Sequence, residues 1–279
     1  MTLLAILIVG GVGLVFAVFI ALANRQLWVW EDPRIDAVAS MLPNANCGAC
    51  GLPGCRAFAE QAVEGIVAPT QCSVGSDDVH HAIASFLGVD AGTAMRRVAR
   101  LLCAGGTDVA AAQAEYRGIA TCAAAAAVAG GGKGCAWGCL SLADCERVCT
   151  FKAITMSDTG LPVVDPVKCT ACGDCVEACP KGLFVLLPVE DRLLVQCKNL
   201  LAGDEVLEQC KVACTACGKC VQDAVPGLIS VTSGVAVVNY ELNAQADQHA
   251  VDRCPTGAIV WLDGAQIARV SSLAGSTEA

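Results

Sequence analysis

The first feature of the hydrophobic pattern is an uninterrupted apolar stretch near the start of the chain. No charged residue occurs from Leu3 to Ala23. As a helix rising about 1.5 Å per residue, this stretch would span roughly 30 Å, which matches a bilayer core. A cleaved signal peptide is the alternative, because Ala21-Leu22-Ala23 resembles a cleavage site, but no basic residue precedes the stretch and it is long for a signal peptide. We therefore predict a transmembrane anchor over residues 1–24.

The charges beside this stretch predict its orientation. Arg25 and Arg34 follow it, within a predicted linker over residues 25–40, and no Lys or Arg precedes it. By the positive-inside rule, a single-pass anchor in the bacterial inner membrane would then leave the rest of the chain on the cytoplasmic side. Cytoplasmic thiols stay reduced and available as metal ligands, which agrees with the many cysteines in this chain.

Helical periodicity follows within a cysteine-rich segment over residues 41–100. It is clearest at His80–Leu87 and recurs around Ala94–Val98. We interpret residues 41–100 as a small four-cysteine domain. The simplest interpretation of His80 and His81 is that they are solvated helix residues without a chemical role.

A connector over residues 101–134 comes next. Its alanine run, Ala123–Ala127, favours a helix because Ala has the highest helix propensity. The run Gly130–Gly134 invites comparison with a phosphate-binding loop, but no Ser or Thr follows Lys133 and no strand is evident before it. A flexible connection is the better interpretation.

From Cys135 onward the pattern repeats itself. Each of the four repeated segments ends in a short apolar run typical of a buried strand. They are Cys149–Ile154, Cys179–Phe184, Ala224–Ile229 and Cys254–Ile259. The pattern predicts an α+β fold with two tandem bacterial ferredoxin-like units, over residues 135–189 and 213–265. Residues 190–212 are an insertion between the units, and residues 266–279 are a tail.

Composition narrows the class of function. The chain has 279 residues, a net charge of −9 and 20 cysteines. The acidic balance argues against a nucleic-acid partner, because phosphate binding requires a basic surface. Disulfide-rich domains are normally short and secreted, so clustered cysteines in a chain of this length indicate metal or iron–sulfur binding.

The most specific motif is Cys169-x2-Cys172-x2-Cys175-x3-Cys179-Pro180. Three thiolates at this spacing wrap one 4Fe–4S cluster, and the fourth reaches the other cluster of a two-cluster ferredoxin. Zinc is the alternative, but zinc prefers paired Cys-x2-Cys ligands. The pairing rule predicts one cluster on Cys169, Cys172, Cys175 and Cys149.

The partner motif of this unit is irregular. Its cysteines are Cys135, Cys139, Cys145 and Cys149, and Leu142 stands where the regular template has its second cysteine. Cys135 is the nearest substitute in the sequence. We therefore expect the second cluster of this unit on Cys135, Cys139, Cys145 and Cys179.

Two further cysteine groups predict one cluster each. The early group has three close cysteines and one distant cysteine, among glycines that permit tight turns, and zinc is its main alternative. Its members are Cys47, Cys50, Cys55 and Cys72. The last unit lacks cysteine at all four ligand positions of one cluster, which hold Ala224, Ala244, Asp247 and Ala250, and keeps it at all four of the other. The retained positions are Cys214, Cys217, Cys220 and Cys254.

Sixteen cysteines are thus assigned to about four 4Fe–4S clusters, and four remain. These are Cys103, Cys122, Cys197 and Cys210. Each taken singly is best interpreted as a buried small apolar residue, with a further cluster as the alternative.

The motifs resemble those of the RnfB family, which forms part of the ion-translocating Rnf ferredoxin:NAD oxidoreductase complexes. The resemblance covers the chain from Leu3 to about Ile259. It rests on the stretch Leu42–Cys55, on the ferredoxin motifs, and on Cys122-Ala123-Ala124 and Gly138–Cys145. Long members of the family usually carry complete cysteine sets in both ferredoxin units, and the last unit of this chain does not.

The resemblance implies an electron-transfer component of a membrane translocase. Its expected partners are the other membrane and peripheral Rnf subunits, ferredoxin and the membrane, with a ferredoxin docking patch around Arg96, Arg97 and Arg100. We find no nucleophile elbow, catalytic carboxylate pair or well-placed dinucleotide motif, so the chain itself is expected only to transfer electrons. An iron–sulfur subunit of another membrane oxidoreductase, such as a hydrogenase or dehydrogenase module, and a zinc-binding membrane scaffold are the alternatives.

Overall fold

A computed structural model describes residues 2–26, 31–93 and 95–267 of the chain, with side chains from residue 10 onward. Most of the predicted tail therefore lies outside the described residues. The chain folds into an N-terminal helix, a small helical domain and two successive units of short strands and helices.

The N-terminal helix α1 spans Thr2–Gln26. Within the described part of the chain, no helix is both long and apolar enough to cross a membrane. The predicted N-terminal transmembrane anchor is therefore wrong. The last turn of α1 carries the polar residues Asn24, Arg25 and Gln26.

The small helical domain consists of α2 (Pro33–Met41), α3 (Cys55–Val63) and α4 (Asp77–Leu87). Asp32 caps α2, because its side chain accepts a hydrogen bond from the N–H of Arg34. Ser76 caps α4 in the same way, and α4 ends at Gly88 in a left-handed conformation. The three helices pack around Val38, Phe58 and Ile83, each at most 1% exposed.

The first ferredoxin-like unit is built on two antiparallel strand pairs. Strand β1 (Arg97–Leu101) pairs with β4 (Phe184–Pro188), and β2 (Ile154–Met156) pairs with β3 (Pro162–Val164). Helices α6 (Asp144–Arg147) and α7 (Asp174–Ala178) lie between the strands in the sequence. The helical periodicity expected around Ala94–Val98 is wrong, because the backbone from Arg97 onward pairs with β4 instead of bonding to itself.

The last unit repeats this arrangement. Strand β5 (Leu193–Val195) pairs with β8 (Ile259–Trp261), and β6 (Ile229–Thr232) pairs with β7 (Val235–Val238). Helices α9 (Lys219–Asp223) and α10 (His249–Asp252) occupy the places of α6 and α7. In each unit the opening strand, β1 or β5, precedes the cysteine motifs in the sequence. It pairs with the closing strand of the unit, β4 or β8.

The segment between β1 and the first cysteine motif is ordered by backbone pairing. Helix α5 (Cys122–Ala127) confirms the helix expected for the alanine run. The glycines after it make a tight reversal, in which a Cβ at Gly132 would lie 2.1 Å from the carbonyl oxygen of Ala114. Ala112 forms a β-bridge with Lys133, and Ala110 forms one with Cys210 beyond the short helix α8 (Val206–Gln209).

Candidate iron–sulfur centres

The early set consists of Cys47, Cys50, Cys55 and Cys72, which line one cavity of about 340 Å³. Asn46 shapes this site, since its side-chain oxygen accepts a hydrogen bond from the N–H of Cys55 at 2.9 Å. Gly54 has a φ of 130°, and a Cβ there would lie 3.0 Å from that oxygen. Glycine is therefore required where the loop enters α3.

A buried histidine holds the distant member of the early set. His80 is 5% exposed, and its Nε2 lies 2.9 Å from the carbonyl oxygen of Cys72. A carbonyl oxygen only accepts hydrogen bonds, so Nε2 carries the hydrogen. The interpretation of His80 as a solvated residue is wrong, because α4 turns it toward the cluster loop, whereas His81 is exposed. Burial raises the pKa of the Cys72 thiol.

The regular set consists of Cys149, Cys169, Cys172 and Cys175, which face one another in the first unit. Burial raises the pKa of the Cys175 thiol to about 12, and the neighbouring charges of Cys169, Cys172 and Cys149 add to the rise. The N–H of Ala153 donates to the Cys149 sulfur at 3.3 Å, and the N–H of Ala99 donates to the Cys169 sulfur at 3.5 Å. These contacts hold the four sulfurs where they could bind a metal cluster.

The second set of this unit differs from the expected one in a single member. Cys139, Cys145 and Cys179 line a cavity of about 370 Å³ together with Cys122. We call these four cysteines the irregular set. Burial raises the pKa of Cys145 to about 12, and the charges of Cys139, Cys122 and Cys179 add to this rise. The N–H of Leu183 donates to the Cys179 sulfur at 3.5 Å.

Sequence reasoning missed Cys122 because it lies outside the ferredoxin template. It is the first residue of α5, whose N-cap Thr121 accepts a hydrogen bond from Ala124. Asp144, at the start of α6, accepts a hydrogen bond from the N–H of Ala123 and so joins α5 to the motif. The sequence signal that could have identified Cys122 is its position directly after Thr121, a residue type that commonly caps a helix. Cys135 lines a different cavity, with Cys103, Cys197 and Cys210.

The last set consists of Cys214, Cys217, Cys220 and Cys254, which line a cavity of about 380 Å³. Burial raises the pKa of the Cys220 thiol to about 11, and the charges of the other three members add to this rise. Burial also acts on Cys254, but hydrogen bonds from the backbone of Ile259 and Thr256 outweigh it and lower the pKa of that thiol. The loop after Cys254 is thus arranged to stabilise a thiolate.

Two of the four emptied ligand positions of the last unit, Ala224 and Ala250, pack into its apolar core, whereas Ala244 and Asp247 are exposed. Ala250 is 1% exposed, and Ala224 and Ala246 pack against the same core as Leu228. These side chains occupy the region where a second cluster would have its ligands.

These cysteine-lined cavities fit cubane clusters. Each combines sulfur ligands with largely apolar walls, and backbone N–H groups point at several of the sulfurs, as iron–sulfur proteins require. Among the side chains that the structure describes, no three Cys, His, Asp or Glu residues converge closely enough to hold a single metal ion.

The basic residues considered for docking differ in accessibility. Arg100 is 3% exposed, and its guanidinium donates to the carbonyl oxygen of Gly264. Arg96 and Arg97 are exposed and donate to backbone carbonyl oxygens of the first unit. Two of the three arginines therefore face solvent.

Comparisons with known proteins agree with these sites. Residues 42–74 match the family described as "Putative Fe-S cluster", and residues 134–184 match the 4Fe-4S dicluster domain. The chain is 43% identical over 252 residues to the B subunit of the Na(+)-translocating ferredoxin:NAD(+) oxidoreductase complex of Acetobacterium woodii, covering 90% of this chain and 75% of the relative.

Two further relatives are matched over more of their own length. The chain is 36% identical to the B subunit of the proton-translocating ferredoxin:NAD(+) oxidoreductase complex of Clostridium ljungdahlii, over 89% of this chain and 88% of the relative. It is 34% identical to the B subunit of the ion-translocating oxidoreductase complex of Methanosarcina acetivorans, over 91% of this chain and 96% of the relative.

These matches confirm the resemblance and the 4Fe–4S cofactors expected from the cysteines. They also confirm that the chain is an electron-transfer component of an ion-translocating oxidoreductase, and they associate it with a multi-subunit membrane complex. The chain belongs to the RnfB family of the ion-translocating Rnf oxidoreductase complexes.

Proposed function

We propose that this chain relays electrons between ferredoxin and the membrane redox subunits of an Rnf complex, through 4Fe–4S clusters on four cysteine sets. These are the early, regular, irregular and last sets. Cys122 replaces Cys135 as the fourth ligand of the irregular set. The observation that carries this proposal is that four cysteines line each of the cavities of the early, irregular and last sets.

The chemistry of electron transfer belongs to the clusters, which would each accept and release one electron when bound. The protein residues supply thiolates, exclude water and donate N–H groups to the sulfurs. In three loops, the residue four positions after a cysteine lies against its sulfur. They are Ala153 after Cys149, Leu183 after Cys179 and Ala258 after Cys254. Such donors stabilise the added negative charge of a reduced cluster.

The arrangement of the early, regular and irregular sets supports a continuous path. Cys50 and Cys72 of the early set line one open cleft with Cys169 of the regular set. The regular and irregular sets exchange their fourth ligands within one unit. Electrons would therefore pass from the small helical domain into the first unit, or in the reverse direction.

We infer that the clusters lie on the cytoplasmic side of the membrane. Twenty cysteines remain useful as thiolate ligands in a reducing compartment. Exposed Arg96 and Arg97 lie on the same open cleft as Cys50 and Cys169. A cationic rim beside cluster ligands suits the docking of an acidic ferredoxin.

Anaerobic purification of the full chain, followed by iron and sulfide analysis and reduction with ferredoxin, tests this function. We expect a brown protein with absorption around 400 nm, which reduced ferredoxin bleaches. A variant with Arg96→Gln and Arg97→Gln should be reduced more slowly by ferredoxin but equally by dithionite. A colourless protein that contains zinc, or one that ferredoxin cannot reduce, would contradict the proposal.

A further inference from the structure

Four cysteines outside these sets line a cavity of their own. Cys103, Cys135, Cys197 and Cys210 surround a space of about 340 Å³, the same volume as the cavity of the early set. We call them the bridging set. Only Cys135 falls within a matched iron–sulfur domain, residues 134–184. The twenty cysteines of the chain thus divide into five sets of four.

The internal repeat of the fold relates Cys103 to Cys197. Each stands two residues after the opening strand of its unit, β1 or β5. The residue before each makes the same hydrogen bond to the closing loop. The N–H of Leu102 donates to the oxygen of Leu183, and the N–H of Gln196 donates to the oxygen of Ala258, both at 2.7 Å.

The same repeat relates Cys135 to Cys210. Each stands four residues before the first cysteine of its unit, in Cys135-x3-Cys139 and Cys210-x3-Cys214. The bridging set therefore takes two equivalent cysteines from each unit. Four unrelated buried cysteines would have no reason to obey the symmetry of the repeat.

Backbone pairing between the units brings the four cysteines together. Residues 109–114 pair with two separate parts of the chain. Ala110 forms a β-bridge with Cys210, and Ala112 forms one with Lys133. The N–H of Ala104, beside Cys103, donates to the oxygen of Gln196, beside Cys197, at 3.0 Å. The site is consequently built at the junction of the two units.

The sulfurs point into a confined space. A Cβ at Gly105 would lie 3.0 Å from the Cys210 sulfur and 3.7 Å from the Cys103 sulfur. Asn199 is 1% exposed, and its Nδ2 lies 3.5 Å from the Cys135 sulfur. The N–H of Cys214 donates to the Cys197 sulfur at 3.4 Å. Three of the four thiols are buried.

We propose that Cys103, Cys135, Cys197 and Cys210 hold a fifth 4Fe–4S cluster, which joins the two ferredoxin-like units electrically. The cavity between the sulfurs distinguishes this from a zinc site, in which four sulfurs close around one ion at about 2.3 Å. Lys133 supplies positive charge. Its ammonium, partly buried, donates to the oxygen of Gly105 at 2.5 Å and to that of Cys139 at 2.7 Å.

The position of the bridging set fits a relay. On the side of the last set, the N–H of Cys214 donates a hydrogen bond to the Cys197 sulfur. On the side of the irregular set, Cys103 is close enough to Cys139 for the two thiols to interact electrostatically. One electron would enter from the neighbouring cluster on one side and one would leave on the other. No bond is made or broken, and the established oxidoreductase supplies the electrons.

Iron and sulfide analysis of the full chain, purified without oxygen and reconstituted with ferrous iron and sulfide, tests the proposal. Five clusters require about 20 irons per chain, and four require about 16. A variant with Cys103→Ala and Cys210→Ala should lose about a fifth of the iron. The matched control, Cys217→Ala with Cys254→Ala in the last set, should lose the same amount, and the combined variant should lose twice as much.

This inference rests on the proposed function, because it compares the bridging set with the other four cysteine sets. The outcomes of the experiment distinguish the two. About 16 irons in the unmodified chain, one zinc beside 16 irons, or full iron in the Cys103/Cys210 variant would overturn the fifth cluster. Full iron in the Cys217/Cys254 control would instead contradict the last set. If a variant fails to fold, the iron count of the unmodified chain decides.

Discussion

The imidazole of His80 lies against the backbone of Cys72, with its Nε2 2.9 Å from the carbonyl oxygen. This contact joins α4 to the one early-set cysteine that is distant in sequence from the other three. A Cβ at Gly75 would lie 2.6 Å from the same nitrogen, so the loop leaves room for this histidine and little else. His80 is therefore a positioning residue for the early set.

Replacing His80 by Ala should destabilise the small helical domain and loosen its cluster. The variant loses a buried hydrogen bond and leaves a cavity, which together should lower the free energy of unfolding by about 2–4 kcal/mol. Chemical unfolding and the rate of iron release to a chelator measure the two effects. His81→Ala is the matched control, since His81 is the exposed neighbour on the same helix. Equal behaviour of the two variants would contradict this role.

Gly54 should be more sensitive to substitution than Gly51. Both have positive φ, at 130° and 84°, so Ala is strained at either position. Only at Gly54 would the new Cβ meet a neighbour, the Asn46 oxygen that holds the N–H of Cys55. Gly54→Ala should therefore lower the iron content of the early set, whereas Gly51→Ala should retain most of it. Iron analysis of the two full-length variants checks this difference.

The local parts of the sites could be predicted from the sequence. Cys169, Cys172 and Cys175 lie in one tight loop, whose spacing alone brings the sulfurs together. The fourth ligand of each cluster is distant in the sequence from the other three. The pairing rule of two-cluster ferredoxins predicts it only where the cysteine motif is regular. For the irregular motif the rule selected Cys135 as the nearest cysteine, whereas the structure brings Cys122 to the cavity from α5.

The other differences between the sequence-based expectations and the structure also depend on long-range pairing. Strand β1 bonds to β4 across more than eighty residues, so the local pattern around Arg97 gave no sign of it. Cys103 and Cys197 meet only because β1 and β5 open equivalent units. The sequence pattern predicts that His80 lies on a helix, but it does not predict that the residue is buried. The packing of α4 against the loop that carries Cys72 buries it.

Lys133→Gln should make the neighbouring clusters harder to reduce. Its ammonium lies between the irregular and bridging sets, and it acts electrostatically on Cys139 and Cys210. Removing a positive charge disfavours the added electron, so reduction potentials should fall by on the order of tens of millivolts. A redox titration followed by electron paramagnetic resonance measures this. Arg117→Gln, which removes an exposed cation that pairs with Glu115, is the control, and an equal shift in both would contradict the argument.

The ion pair of His249 and Asp252 on α10 predicts a small pH dependence of stability. The hydrogen bond to Asp252 at 3.0 Å raises the pKa of His249 above its usual 6.5. A raised pKa stabilises the fold below the pKa of the unfolded state, and this contribution is lost as pH rises through the folded value. The midpoint of urea unfolding should thus differ between the unmodified chain and His249→Gln at pH 6 but not at pH 9. A difference that persists at pH 9 would refute this explanation.

The emptied half of the last unit should not regain a cluster when its cysteines are restored. Ligand loops need left-handed residues, as at Ala171 and Gly173 in the regular set and at Ala216 and Gly218 in the last set. The emptied motif instead forms a 3₁₀ helix over Tyr240–Gln245, and the φ of Ala246 after it is −67°. The backbone has therefore lost the shape that presents N–H groups to a cluster.

A variant with Ala224→Cys, Ala244→Cys, Asp247→Cys and Ala250→Cys tests this expectation. The iron content should stay at that of the unmodified chain, and alkylation should detect additional free thiols. Stability should fall, because Ala250 is 1% exposed and its core has no room for a larger side chain without strain. A gain of about four irons would mean that ligand identity alone decides whether this half of the unit holds a cluster.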